Sequence, residues 1–188
     1  MIIGLMGTMG SGKTLSANYL VSKYNFVEFS FAQCLKKALK ELFLLSDEQL
    51  YGTQAQKEEP DQRWFGCSSR RIMQYVGTEL LRNNMENIMP GLGKNIFIHH
   101  FRIWYDEQIK LNPELRVVIS DVRFQNEADV INCLDGKLIK IARFSQNTTI
   151  SNLHESEVEM SKIKNYHCEI INNQTIDYLF EELDEIIS

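Results

Sequence analysis

The sequence has few prolines, no paired cysteines and no long apolar run, and each shortage excludes a class of protein. Only 3 of the 188 residues are proline, so a proline-rich or low-complexity linker is excluded. The 4 cysteines are scattered without a C-x-x-C pair, which indicates neither a zinc site nor a disulfide framework. No apolar stretch approaches the ~18 residues of a membrane-spanning helix. We therefore expect a soluble, intracellular globular protein.

An excess of positive charge is also missing. The formal net charge is −5, whereas a general nucleic-acid surface needs a surplus of Lys and Arg. We expect small-molecule partners, with no nucleic-acid polymer and no membrane. The amino-terminal apolar run leads directly into the loop described next, so a cleaved signal peptide is not expected, and the cytoplasm is the predicted location. The sequence leaves open whether the chain acts as a monomer or a homodimer.

Residues 7–14 read GTMGSGKT, a complete match to the phosphate-loop pattern G-x-x-x-x-G-K-[ST]. The apolar run 2–6 precedes it and the helix-like stretch 15–24 follows, which is the context of a nucleotide-binding loop. Glycines let backbone N–H groups approach phosphate oxygens, the lysine places a cation near the β- and γ-phosphates, and the final hydroxyl ligates Mg²⁺. The sequence predicts that ATP and Mg²⁺ are bound. The expected ATP-binding residues are Gly7, Met9, Gly10, Ser11, Gly12, Lys13 and Thr14.

Candidates for buried strands alternate with segments of helical periodicity. The strands are expected at residues 2–6, 26–29, 116–120, 137–142 and 167–171. The helices are expected at residues 15–24, 31–44, 70–83, 95–110, 126–134 and 176–187. This alternation implies βαβ units with right-handed crossovers. We predict a single α/β domain, a three-layer α/β/α fold with a mostly parallel five-stranded sheet.

Two polar stretches interrupt this pattern. Residues 46–69 lie between two helical segments, and we interpret them as an inserted loop near the active face. Residues 144–153 are rich in Ser, Asn and Thr and follow a strand. Such a loop is a lid or binding loop, or equally a surface connection.

Phosphoryl transfer needs positioning, a metal and cations more than covalent chemistry. Asp121 follows the buried run VVIS at a carboxyl strand end, where ligands bind in open α/β sheets. It is a candidate metal ligand alongside Thr14, and a helix cap for residues 126–134 is the alternative. Arg123 and Arg143 are candidates for stabilising the transferred group together with Lys13. A solvated charge is the alternative for Arg123.

A third basic cluster lies on the helix expected at residues 70–83. Arg70 and Gln74 share a face of this helix at a spacing of four, and Gly77 with Thr78 leaves room for a ligand to approach closely. A surface-charged amphipathic helix is the ordinary alternative.

The segment SSRRIMQYVGTELLRNN (68–84) resembles the helix motif of the deoxynucleoside monophosphate kinases of bacteriophages and large DNA viruses. The phosphate loop, FAQCLKKAL (31–39), ISDVRFQNEAD (119–129) and RFSQ…HESE (143–157) follow in the family's order. The resemblance covers most of the chain, and the helix motif is its specific part. Ser69 departs from the pattern, because related chains frequently have proline there.

The resemblance implies Mg-ATP-dependent phosphorylation of deoxynucleoside 5′-monophosphates in the cytoplasm, that of a host if the chain is viral. It implies one kinase domain over residues 1–188, with an acceptor-binding insert around 31–110 and a lid around 143–157. The implied acceptor-binding residues are Lys36, Arg70, Gln74, Gly77, Thr78, Phe97 and Asp121. Core packing is the competing account of Phe97. A kinase of another phosphorylated acceptor, similar to dephospho-CoA, and a non-catalytic nucleotide-dependent switch are the alternative functions.

Overall fold

The computed structural model describes residues 1–143 and 155–187, without the side chains of residues 155–157. The described chain forms two compact units. Met1–Ser30 with Ile103–Ser188 is called the sheet unit, and Phe31–Arg102 the insert unit. Residues 144–154, which contain most of the expected lid, lie outside the described residues.

The helices and strands follow one another along the chain in βα order, interrupted by the insert. In chain order they are β1 (Ile2–Met6), α1 (Lys13–Tyr24), β2 (Val27–Phe29), α2 (Phe31–Phe43), α3 (Asp47–Tyr51), α4 (Gln54–Glu58), β3 (Pro60–Asp61), β4 (Cys67–Ser68), α5 (Ser69–Gln74), α6 (Ile96–Leu111), β5 (Val117–Val122), α7 (Gln125–Cys133), β6 (Lys137–Ala142), α8 (Glu155–Lys162), β7 (Cys168–Ile171) and α9 (Ile176–Ile187).

The sheet unit contains a five-stranded sheet in the order β2-β5-β1-β6-β7. Every neighbouring pair is parallel. The strands form where apolar runs are buried, and the five residues of β1 are all buried. The predicted mostly parallel five-stranded sheet is confirmed, and β5 continues two residues beyond the expected end, through Val122.

Helices cover both faces of this sheet, because alternate strand residues point to opposite sides. On one side Ile3 and Leu5 of β1 pack in a core with Leu20 of α1 and Leu183 of α9. On the other side Gly4 lies against Ile131 of α7, whose Cδ1 would be 2.5 Å from a Cβ at that glycine. The three-layer α/β/α arrangement of the predicted fold follows from these contacts.

A polar cluster joins α1 to α9 beside the first of these cores. Asp184 accepts hydrogen bonds from the hydroxyls of Tyr19 and Tyr24, both at 2.7 Å, and from Lys23 Nζ at 2.6 Å. The Lys23 bond, followed by those from Tyr19 and Tyr24, lowers the pKa of Asp184 to about 2. The helix that begins at the phosphate loop is therefore fixed at its far end by a charged cluster.

Residues 46–69 of the insert unit form short helices and a hairpin. Ser46 and Gln49 form a reciprocal capping box at the start of α3, and Thr53 and Gln56 form another at the start of α4. Each box satisfies N–H groups that the first helical turn leaves without partners. The short β3–β4 hairpin follows, stabilised by Asp61, whose carboxylate accepts from Arg63 and Gln49. We interpreted residues 46–69 as an inserted loop, and the loop assignment was wrong because this segment forms two α-helices and a hairpin.

The helix expected over residues 70–83 changes type along its length. Its first turns are α5, and residues Tyr75–Arg82 continue as a π-helix. The Asn83 N–H donates to Thr78 O, five residues back instead of four. A π-helical turn contains more residues than an α-helical turn. Side chains after Gln74 therefore do not lie on the face that a spacing of four residues predicts.

Within residues 1–143 and 155–187, no helix combines the length and the apolar character that crossing a membrane requires.

Candidate active site

The phosphate loop follows β1 in the sheet unit and is formed by glycines in the left-handed region. Gly7, Gly10 and Gly12 have φ values of 151°, 77° and 112°. A Cβ at Gly7 would lie 2.2 Å from the Ile141 carbonyl oxygen of β6, which no side chain can tolerate. Gly10 faces open space, and Met9 beside it is exposed. The loop therefore packs its base against the sheet and leaves its outer turn open.

Lys13 and Thr14 begin the helix that the loop leads into. Gly12 is the N-cap of α1, and its carbonyl accepts from the Ser16 N–H at 2.9 Å. Lys13 Nζ donates to the Gly7 and Thr8 carbonyls, both at 2.7 Å, which keeps the ammonium over the loop. Thr14 is exposed in the first helical turn. The partial positive charge of the helix N-terminus adds to the ammonium charge.

The centre of the loop contains a buried hydroxyl and a contact that the sequence did not reveal. Ser11 is 1% exposed, and its Oγ has no hydrogen-bond partner among the described residues. The Ser11 carbonyl accepts from Asn172 Nδ2 at 2.8 Å. Asn172 lies just after β7, 161 positions along the chain, so no local pattern identified it.

Asp121 lies beside the loop at the carboxyl edge of the sheet. Gly4 pairs with Ile119 and Met6 with Val122, so β5 has one more residue than β1 between these pairs. Such a bulge changes the direction of a side chain and is frequent next to active sites. The Asp121 carboxylate accepts from Ser30 Oγ at 2.8 Å, across from the end of β2.

A carboxylate other than Asp121 caps the next helix. Glu127, 1% exposed, accepts from the Arg123 N–H at 2.8 Å and the Phe124 N–H at 3.2 Å. The N-cap position of α7 is Phe124, three residues after Asp121. The side chain of Arg123 is exposed one residue after β5, and Arg143 is exposed one residue after β6. Both arginines thus follow strands that flank the phosphate loop, at the same edge of the sheet.

The other predicted residues lie in the insert unit, where the two cations have partners. Lys36 Nζ lies 4.7 Å from the centre of the Tyr51 ring. Arg70 is half-buried, and its Nε lies 3.4 Å from Glu58 Oε1. That distance makes an ion pair, but the buried Nε has no hydrogen-bond partner among the described residues.

The remaining predicted residues of the insert unit lie along the α5 and π-helical segment or at the start of α6. Gln74 is half-buried and Thr78 is buried. Gly77 faces α2, since a Cβ there would lie 2.8 Å from Leu35 Cδ2. Phe97 is 5% exposed, with the Arg82 guanidinium 4.8 Å from its ring centre. Leu35 therefore lies close to Gly77, and the Arg82 guanidinium lies over the Phe97 ring.

The phosphate loop fits a triphosphate with Mg²⁺. Glycines with positive φ form a turn that no other residue type would adopt without strain. The buried Ser11 hydroxyl lies beside Gly7, and the Lys13 ammonium donates to the Gly7 and Thr8 carbonyls. Thr14 carries a hydroxyl and Asp121 a carboxylate, which are oxygen ligand types that Mg²⁺ prefers.

Comparison with known proteins gives the family. The chain is 58% identical over 182 residues to a curated protein of Acanthamoeba polyphaga mimivirus named "Putative deoxynucleotide monophosphate kinase", covering 97% of this chain and 93% of that protein. No protein-family model matches the chain.

Two solved structures agree with the fold at low identity. The chain matches TT1252 from Thermus thermophilus with a TM-score of 0.52 and 16% identity, covering 100% of this chain and 96% of that one. It matches a sugar kinase from Janibacter sp. HTCC2649 with a TM-score of 0.50 and 12% identity, covering 99% and 93%. These two likenesses concern the fold alone. On the identity to the mimivirus protein across nearly its whole length, the chain belongs to the deoxynucleoside monophosphate kinase family.

Proposed function

We propose that this protein transfers the γ-phosphoryl group of Mg-ATP to deoxynucleoside 5′-monophosphates. The observation that carries the proposal is the phosphate loop of residues 7–14, with Lys13 held over it, in a chain that is 58% identical to a protein named as such a kinase. The acceptors are free nucleotides, consistent with the net charge of −5. We expect the activity in the cytoplasm.

The sheet unit supplies the groups that handle ATP. The N–H groups of the loop and the start of α1 bind phosphate oxygens, and Lys13 leaves the Gly7 and Thr8 carbonyls to pair with the β- and γ-phosphates. Thr14 and Asp121 hold Mg²⁺, which neutralises charge on the phosphates. Arg123 and Arg143 meet the charge on the transferred group. In this reaction these residues position the phosphates and neutralise their charge.

The insert unit supplies the acceptor-binding groups. Lys36 and Arg70 pair with the acceptor's phosphate, and Gln74 and Thr78 bind the nucleoside. Binding requires Arg70 to exchange its 3.4 Å pairing with Glu58 for a phosphate. This exchange is favourable because a guanidinium and a phosphate form two parallel hydrogen bonds, whereas the Arg70 Nε contact with Glu58 is long for even one.

Neighbouring arginines provide a matched test of the acceptor assignment. Arg70→Ala raises the KM for the deoxynucleoside monophosphate at least about tenfold, in line with the loss of a charge-assisted hydrogen bond, and leaves the KM for ATP unchanged. Arg71→Ala, an exposed neighbour on the same helix, changes neither. Steady-state kinetics with each substrate varied in turn separates these effects. Equal effects of both variants would contradict the assignment, and no specific effect of Arg70→Ala would favour a nucleotide-dependent switch.

A further inference from the structure

The amide side chain of Asn172 connects the phosphate loop to the ends of β6 and β7. Its Nδ2 donates to the Ser11 carbonyl at 2.8 Å, and its backbone N–H donates to the Ala142 carbonyl at 2.7 Å. Ala142 and Ile171 are paired at the ends of β6 and β7. The residue is thus anchored on the sheet at one end and hydrogen-bonded to the loop at the other.

The hydrogen bond from Asn172 to the Ser11 carbonyl determines the direction of the Gly12 N–H. A trans peptide is planar, so the carbonyl of Ser11 and the N–H of Gly12 point in opposite directions. With the carbonyl directed at Asn172, the Gly12 N–H points to the other side of the peptide. A rotation of this peptide would bring the carbonyl, a negative dipole, to the side that now presents the N–H.

The Asn172 amide lies close to the Gly12 backbone. A Cβ at Gly12 would lie 2.5 Å from Asn172 Nδ2, so a side chain there would displace the amide from this position. Gly12 also has φ 112°, a conformation that other residues rarely adopt. The backbone conformation therefore favours glycine at position 12, and glycine also leaves space for the Asn172 amide.

We propose that Asn172 is a positioning residue for ATP binding, which orients the Ser11–Gly12 peptide so that its N–H faces the triphosphate. This inference rests on the proposed function only in that the loop binds ATP. It adds a residue that lies outside the loop motif and acts through the loop backbone. Without its hydrogen bond the peptide rotates more freely, and phosphate oxygens meet the carbonyl in part of the population.

The test uses a nearly isosteric substitution. Asn172→Asp replaces the donating amide by a carboxylate that repels the Ser11 carbonyl. We expect the Kd for Mg-ATP, measured by titration calorimetry at pH 8 without acceptor, to rise about tenfold, the effect of losing one hydrogen bond and leaving its acceptor unsatisfied. The KM for the acceptor stays unchanged. Protonation of the introduced carboxyl group at lower pH restores a donor, so we expect the ratio of variant to native Kd to fall as the pH is lowered.

A control variant isolates the loop contact. Asn132 Nδ2 donates to the Asn165 carbonyl at 3.2 Å on the sheet unit's surface, so Asn132→Asp makes the same chemical change without touching the loop, and its Kd for ATP should equal that of the native protein. Asn172→Ala removes the donor without adding a charge and should weaken ATP binding by about threefold. Thermal melting confirms that each variant is folded.

The outcomes separate this inference from the proposed function. Native-like ATP binding by folded Asn172→Asp or Asn172→Ala, or equal weakening in Asn132→Asp, would overturn it. If the native protein binds ATP but phosphorylates no deoxynucleotide, and Asn172→Asp still weakens ATP binding selectively, the kinase proposal fails while the role of Asn172 stands.

Discussion

Single residues at the carboxyl edge of the sheet show where sequence analysis succeeds and where it stops. The pattern of residues 7–14 was recognisable because all its members are adjacent in the chain. The Ser30 contact with Asp121 spans 91 positions and the Asn172 contact with Ser11 spans 161. These two contacts depend on which strands are neighbours in the sheet. The order β2-β5-β1-β6-β7 cannot be deduced from the composition of any one strand.

Lys13 gives the most direct prediction at this scale. Lys13→Met should lower kcat by about 10²-fold or more, because it removes a cation from the region where charge is redistributed during transfer. Steady-state turnover with saturating ATP measures this change. Lys164→Met, a change at an exposed lysine of the same unit, should leave kcat unchanged. A fully active Lys13→Met would contradict the assigned role.

At the scale of helices and strands, the apolar patterns predicted the main elements, whereas residues 46–69 of the insert were misread as a loop. The predicted β1, β6 and α9 agree with the structure at both ends. The α3 and α4 helices of the insert are five residues each, too short for a periodic apolar face. Their capping boxes, S-x-x-Q at Ser46 and T-x-x-Q at Thr53, were nevertheless present as a sequence signal. The π-helical segment carries no comparable signal, because its hydrogen bonds depend on tertiary packing.

The cluster that joins α1 to α9 predicts a pH-dependent stability. The pKa of Asp184 is lowered from 3.8 to about 2 in the folded protein, so the unfolded chain binds a proton at higher pH than the folded one. The stabilisation from Asp184 is therefore complete above about pH 5 and is lost as the pH falls towards 2. Thermal melting between pH 7 and pH 2 should show Asp184→Asn less stable than the native protein at neutral pH, with the difference shrinking on acidification. Glu181→Gln, at an exposed carboxylate on the same helix, should track the native curve, and a pH-independent difference for Asp184→Asn would refute the account.

The packing of β1 against α7 predicts a compensating pair of substitutions. Gly4→Ala places a Cβ 2.5 Å from Ile131 Cδ1 in a fully buried position, and overpacking of this kind costs about 1–3 kcal/mol of unfolding free energy. Ile131→Val removes that methyl and alone costs about 0.5–1.5 kcal/mol. Urea denaturation should find the double variant less destabilised than the sum of the single variants. If the two destabilisations simply added, the side chains at positions 4 and 131 would not be in contact.

At the scale of the whole molecule, an acidic chain carries the basic groups of the proposed sites in a few places. The net charge is −5, yet the sheet unit contains the phosphate loop with Lys13, and the insert unit contains Lys36 and Arg70, which we propose pair with the acceptor's phosphate. Local positive groups of this kind would let a chain with a negative net charge bind anionic nucleotides. The fold class and the phosphate loop followed from the sequence. The bulge at Asp121 and the ion pair at Arg70 required the structure, because both depend on contacts between elements.

The central claim is phosphoryl transfer from Mg-ATP to a deoxynucleoside monophosphate. It is tested most directly by coupled ADP release with Mg-ATP against dTMP, dGMP, dCMP, dAMP and their ribose counterparts. We expect turnover that depends on at least one deoxynucleoside monophosphate and is lost in Lys13→Met. ATP binding with no turnover on any of these acceptors would contradict it.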